Sequence, residues 1–136
     1  MTWHPADTAV PARSRLLPIL AAFPVACFTL ALGSDLAYWQ TANLMWLNFS
    51  SWLLASGLAA GVLFALWWAI GLLTGWWRAG WRGALLGLAV LLVAFANNLV
   101  HAGDGWTAVV PWGIALSALA VLLMLASALL DSRAAY

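Results

Sequence analysis

The sequence predicts an all-α fold: a four-helix transmembrane bundle with antiparallel helices and both termini in the cytoplasm. Hydrophobic residues make up 66% of the 136-residue chain and charged residues only 7%, which leaves too little polar surface to cover a soluble globule. The apolar residues also fall into four segments, each close to the ~20 residues that a helix needs to cross a bilayer. The third observation is the distribution of arginine, which is confined to one side of this topology.

The four helices are expected at about residues 16–39, 49–76, 83–102 and 109–130. The first resembles a secretory signal because Arg13 and Arg15 precede it. Its apolar run is longer than the hydrophobic region of such a signal, so a retained helix is expected. The connections are short and no linker or low-complexity tract interrupts them, so residues 1–136 are predicted to form one integral-membrane domain.

Two glycine pairs are candidates for close helix packing. The second helix carries Gly57 and Gly61, and the third carries Gly83 and Gly87. A spacing of four residues places both glycines of a pair on one face, where neighbouring backbones can approach closely in lipid.

The arginines predict the orientation. They lie before the first helix, between the second and third, and after the fourth: Arg13, Arg15, Arg78, Arg82 and Arg133. Because positive residues accumulate in cytoplasmic loops, both termini and the middle loop are expected in the cytoplasm. The eleven tryptophans are interpreted as an aromatic belt and packing residues. We therefore expect a multi-pass protein of the bacterial inner membrane.

The polar residues concentrate at the outer end, above all in NNLVHAGDGWT at 97–107. If the third helix continues through residue 104, Asn97, His101 and Asp104 form one stripe on it, and Asp35 ends the first helix on the same side. Ionisable groups at membrane depth are costly and tend to be paired, which favours an Asp35–His101 pair. The alternative is local: His101 bonded to a helix carbonyl, Asp104 capping the fourth helix and Asp35 closing a loop.

A family resemblance is carried by three stretches: FPVACFTLALGSDLAYW (23–39), TANLMWLNFSSWLLASGL (41–58) and HAGDGWTAVVPWGIALSALAVLL (101–123). They resemble the bacterial membrane-protein family called domain of unknown function 2231. Members usually carry a His-Pro pair before the Phe-Pro of the first helix and an Asp near the end of the second. Here those places hold Leu17-Pro18 and Thr74-Gly75. The resemblance therefore implies that an inner polar site is lost, whereas the outer set is kept. Some relatives resemble, or are joined to, membrane-anchored quinoprotein sugar dehydrogenases, which hints at redox partners.

Several function classes are excluded or disfavoured. A net charge of +1, without lysine or glutamate, gives no footprint for nucleic acid. His4 and His101 lie on opposite sides of the predicted topology, so one copy cannot supply a haem held by two histidines. No phosphate-binding loop or nucleophile with a matched base is present, and Cys27 is interpreted as a packed apolar thiol. An enzyme is therefore not favoured, and no spacing motif supports a metal site at His101, Asp35 and Asp104.

Two functions remain. The first is a non-enzymatic accessory or anchoring subunit of a bacterial membrane complex, expected to be a redox or bioenergetic one. The outer polar cluster of this subunit would either dock a partner or stabilise the bundle. The cluster comprises Asp35, Asn97, His101 and Asp104. The expected partners are the lipid bilayer and other membrane or periplasmic subunits, or further copies of the chain. The second is an electron-transfer membrane protein that binds haem or quinone through His101; no cofactor is assigned.

Overall fold

The computed structural model describes residues 13–75, 81–103 and 109–134, with side chains from residue 20 to residue 130 within these ranges. Every described residue lies in a helix except for the short connections at 42–43, 74–75 and 103. The helices are α1 (Arg13–Thr41), α2 (Leu44–Leu73), α3 (Trp81–Ala102) and α4 (Ile114–Ala134), the last preceded by a π-helical turn at Val109–Gly113. The predicted all-α fold is confirmed, with four helices long and apolar enough to cross a membrane.

The connection between α1 and α2 is shorter than the sequence suggests. α2 begins at Leu44 rather than at residue 49, because Asn43 caps it: the Asn43 side chain accepts a hydrogen bond from the Met45 N–H at 3.0 Å. Asn48 therefore lies within α2 and not in a loop. Ala42 makes the reversal with a φ of 51°, in the left-handed region that non-glycine residues seldom adopt.

The third helix also ends earlier than the polar stripe requires. α3 stops at Ala102, and the Gly103 N–H closes its last turn by donating to the Leu99 carbonyl at 2.8 Å. The condition for a single stripe, a third helix that continues through residue 104, is therefore not met. Asp104 itself lies outside the described residues.

Each helix buries one narrow face. The apolar core is formed by Phe28, Ala31, Leu54, Val90 and Ala94. Most other large apolar side chains point outward, as the 73% exposure of Trp52 and the 67% exposure of Leu63 illustrate. A helix that is apolar on all sides is typical of a membrane span, so these outward faces contact the lipid bilayer.

The four glycines proposed for packing occupy two kinds of environment. A Cβ added at Gly57 would lie 2.8 Å from both the Cys27 Cβ and the Phe28 Cε1, so α1 and α2 approach closely there. A Cβ at Gly61 would lie 2.7 Å from the Leu91 Cδ2. At Gly83 and Gly87, no described atom comes within 4 Å of the added Cβ. Within the described chain, the second pair makes no close helix contact.

Candidate functional site: a buried polar network around Asp35

Asp35 is the centre of a polar network inside the bundle, and its side chain is fully buried. Its Oδ1 accepts a hydrogen bond from the Ser50 hydroxyl at 2.5 Å and lies 2.9 Å from the His101 Nε2. Its Oδ2 accepts a hydrogen bond from the Ser117 hydroxyl at 2.6 Å. Asp35 belongs to α1, Ser50 to α2, His101 to α3 and Ser117 to α4. One carboxylate thus joins all four helices.

Ser50 and Ser117 differ from five other hydroxyl residues of the bundle. Hydroxyls in transmembrane helices usually bond to the carbonyl four residues earlier. Five described residues do this: Thr29, Ser34, Thr41, Ser51 and Thr74. Ser50 and Ser117 instead donate to α1: both hydroxyls bond to Asp35, and the Ser50 hydroxyl also lies 3.4 Å from the Ala31 carbonyl oxygen. These two serines therefore bond between helices, whereas their neighbours bond within one.

His101 has both ring nitrogens in hydrogen-bonding contact. Nδ1 lies 3.0 Å from the Asn97 carbonyl oxygen of its own helix, and Nε2 faces Asp35, with the Ser50 Oγ at 3.2 Å. A carbonyl oxygen can only accept, so Nδ1 carries a hydrogen. The imidazole itself is not exposed. Gly113 makes room for it, because an added Cβ there would lie 3.0 Å from the His101 Cε1.

Asn97 extends the network by one step. Its Nδ2 donates to the Ser117 Oγ at 2.7 Å, and its side chain is fully buried. Because the Ser117 oxygen accepts this bond, the Ser117 proton is directed at Asp35, and the chain of donors runs from Asn97 through Ser117 to Asp35. The Asn97 Oδ1 has no hydrogen-bond partner among the described residues.

The structure brings together Asp35, Asn97 and His101, three of the four residues in the predicted polar cluster. Asp104 lies outside the described residues. Ser50 and Ser117 are members that the sequence reasoning missed. Ser50 lies six residues after the start of α2 and Asp35 six residues before the end of α1, which places both at about 9 Å from the same end of the bundle. Ser51 has nearly the same depth, so depth alone does not single out Ser50.

These side chains face the interior and not the surface of the bundle. Asp35 and the His101 imidazole are both at 0% exposure. A partner outside the bundle would therefore not touch them, and a docking role for these two side chains has no exposed surface to act through. The geometry agrees instead with the alternative that the cluster is structural.

A cavity of about 170 Å³ lies at the end of the bundle where α2 begins and α3 ends. We refer to this end, where α1 and α3 end and α2 and α4 begin, as the polar end. The cavity wall includes Asn48, Ser51, Val100 and His101. Because the imidazole is fully buried while the residue as a whole is partly exposed, His101 contributes its backbone to this wall. The His101 imidazole itself therefore does not line the cavity.

The network is poorly suited to hold a metal or haem iron as it stands. Iron or zinc binds an imidazole through a nitrogen lone pair, and both nitrogens of His101 already face protein acceptors. Within the described ranges, no group of three or more His, Cys, Asp or Glu side chains could surround a metal ion.

Comparison with protein families agrees with this architecture. A family model described as "Predicted membrane protein (DUF2231)" matches residues 15–136. The chain belongs to this family. The DUF2231 match includes every residue of the polar network, from Asp35 in α1 to Ser117 in α4, and the resemblance read from the sequence is confirmed. No curated protein and no solved structure matches the chain.

Proposed function

We propose that this DUF2231 protein is a non-enzymatic accessory or anchoring subunit of a membrane complex in the bacterial inner membrane. The observation that carries the proposal is the inward direction of its polar chemistry. Asp35 and His101 already make hydrogen-bonding contacts between the helices. The outer faces of the described helices are dominated by large apolar side chains. The surface of such a molecule can bind a partner by its shape, but it presents no reactive side chain from this network.

The Asp35 network suits a scaffold because it selects one arrangement of four helices. Apolar helix faces in lipid can slide or rotate against one another, since lipid provides no hydrophobic drive for a unique contact. Hydrogen-bonding contacts between one carboxyl group and side chains of three other helices require all four helices to be in register. A satisfied buried polar network can in this way specify one packing.

The outer surface supplies the contacts for partners. Near the polar end, Trp39, Trp52 and Trp112 are exposed by 59%, 73% and 69%. Tryptophan is enriched at membrane–water boundaries and in subunit interfaces, because its ring is apolar and its N–H is polar. At the opposite end, the Arg82 guanidinium lies 5.6 Å from the centre of the Trp81 ring. Under the positive-inside rule that end is cytoplasmic and the polar end faces the periplasm.

The alternative function, binding of haem or quinone through His101, is less well supported. It requires the His101 Nε2 to leave Asp35, and a buried carboxylate that loses its partner is costly. No feature of the described chain favours that exchange.

Native mass spectrometry of the protein, extracted gently from its own membranes, tests the proposal. We expect a particle heavier than the 14.5 kDa chain that dissociates into this chain and a different subunit at fixed stoichiometry. The Asp35→Ala variant should insert in the membrane but lose that subunit, whereas the matched Ser51→Ala variant should retain it. A particle that contains only copies of this chain would refute the accessory role.

A further inference from the structure

We propose that the protein binds one anionic phospholipid between α2 and α3, with an acyl chain in an apolar groove and the phosphate at Arg82. The lipid belongs to the leaflet opposite the polar end, which is the cytoplasmic leaflet under the positive-inside rule. This assignment does not depend on the accessory role. We refer to the site as the α2–α3 groove. Its walls include Leu58, Ala65 and Ala69 of α2, and Leu88, Leu92 and Phe95 of α3.

The α2–α3 groove is wholly apolar and opens toward the bilayer. Its volume is about 600 Å³, and its nine lining residues are all leucine, valine, alanine or phenylalanine. Leu88 and Leu92 on its wall are more than half exposed. The groove is deepest where α3 meets a glycine of α2: a Cβ added at Gly61 would lie 2.7 Å from the Leu91 Cδ2. The groove therefore offers contacts to a hydrocarbon chain and no hydrogen bond to a polar ligand.

The length of the groove matches one leaflet of a bilayer. Leu58 is the 15th of the 30 residues of α2 and lies at the middle of the helix. Ala69 follows after 11 residues, or about 16 Å along the axis, which is close to half of the ~30 Å hydrocarbon core. In the other half, α2 and α3 enclose the cavity lined by Asn48 and Ser51. A transmembrane helix along both halves would cover those polar residues, whereas the acyl chain of one leaflet needs only the groove.

The register of α2 and α3 brings Arg82 to the end of the groove. The two helices are antiparallel, and Gly61 of α2 lies against Leu91 of α3. Ala69 follows Gly61 by eight residues. Counting eight residues back from Leu91 gives position 83, so Ala69 lies level with the residue next to Arg82. The groove thus ends at the depth of an arginine.

Trp81 places the Arg82 guanidinium on the side of α3 that carries the groove. Trp81 begins a stripe of exposed side chains, spaced by three or four residues, that continues through Leu85 to Leu88 and Leu92 in the groove wall. Residues at this spacing share one face of a helix. The Arg82 guanidinium lies 5.6 Å from the centre of the Trp81 ring. An arginine stacked on an aromatic ring retains N–H groups that can donate to a phosphate.

The charge at this end favours an anionic headgroup. α2 and α3 contain no aspartate or glutamate, so neither helix of the groove opposes the positive charge of Arg82 with an acid of its own. A basic residue at the membrane surface attracts anionic lipids. A zwitterionic headgroup such as phosphoethanolamine would bring an ammonium group close to the guanidinium. The groove and the cation together therefore match an anionic phospholipid.

Native mass spectrometry of the full chain tests the site, after removal of lipid in detergent and titration with phosphatidylglycerol or phosphatidylethanolamine. We expect one phosphatidylglycerol to bind per chain, about fivefold more tightly than phosphatidylethanolamine. Arg82→Gln should remove this difference. Equal binding of the two lipids by the wild-type chain, or no bound lipid, would overturn the proposal. A dimer that forms in place of the lipid adduct would also overturn it, because a second copy would then occupy the groove.

A matched pair of variants tests whether the acyl chain lies in the groove. Ala65→Trp fills the groove with a large side chain and should abolish binding of the single lipid. Ala128→Trp changes an exposed alanine of α4 that does not line the groove, and binding should be unchanged. A lipid retained equally by both variants would show that its chain lies elsewhere. Arg82→Gln alters an exposed side chain only, so the headgroup test holds even if Ala65→Trp does not fold.

Discussion

Replacing Asp35 by asparagine is the most informative single perturbation of the bundle, because it keeps the shape of the side chain. The amide turns one of two acceptor oxygens into a donor, so at least one of the hydrogen bonds donated by Ser50 and Ser117 must be lost. Removing one partner of a buried ion pair costs about 3–5 kcal/mol in soluble proteins. Single interhelical hydrogen bonds in membranes contribute closer to ~0.6 kcal/mol, because the unfolded chain also finds partners there.

Between these limits we expect Asp35→Asn to lower the free energy of unfolding by about 2–4 kcal/mol, a factor of roughly 30 to 700 in the unfolding equilibrium constant. Equilibrium unfolding in lipid bicelles, followed by steric trapping, measures this difference. The matched control is Ser51→Ala, whose hydroxyl bonds only to the Leu47 carbonyl of its own helix and whose loss should change the free energy by less than about 0.5 kcal/mol. Equal effects of the two substitutions would refute the view that Asp35 holds the helices together.

Three further predictions concern the rest of the bundle. Gly57→Ala should destabilise it by about 1–3 kcal/mol, because the new Cβ would lie 2.8 Å from atoms of Cys27 and Phe28; Gly87→Ala, with no described atom within 4 Å, should stabilise α3 by about 0.5–1 kcal/mol, and the same unfolding assay compares them. A destabilised Gly87→Ala would instead show an unrecognised contact on that face. Ala42→Gly should stabilise the connection between α1 and α2 by about 1 kcal/mol, since residue 42 has a φ of 51°; a loss of stability would contradict this. Cys27, only 5% exposed, should resist a thiol reagent in the folded protein and react after unfolding, and mass spectrometry reads the label; rapid reaction before unfolding would argue against the packing of α1 on α2.

The fold follows from composition because the physics of the bilayer leaves few solutions. Backbone groups without access to water must pair within a segment, so long apolar runs become helices. The errors lie at the helix ends. The second helix was expected from residue 49, but α2 begins at Leu44 and includes Asn48, because an asparagine in sequence looks the same in a loop and in the first turns of a helix.

The sequence predicted the Asp35–His101 pair, but not the hydroxyl partners Ser50 and Ser117. Asp35 and His101 stand out because a charge in an apolar span needs a partner. Ser50 and Ser51 are adjacent and chemically identical, yet one bonds to Asp35 and the other to its own helix. The difference is the direction of each residue around the axis of α2, where Ser50 shares a face with the buried Leu54 and Gly57. That direction depends on the packing of the other helices.

Two hydrogen-bonding partners of Asp35 lie far along the chain, and this has a consequence for biogenesis. Its first partner in the chain, Ser50, follows after 15 residues, but His101 follows after 66 and Ser117 after 82. At typical synthesis rates of about 5–20 residues per second, Asp35 leaves the ribosome roughly 3–13 seconds before His101 does. During that interval a helical hairpin of α1 and α2 holds an acidic group with only a hydroxyl to meet it. The nascent chain should therefore stay bound to the insertion machinery, or to another membrane protein, until α3 and α4 have been synthesised.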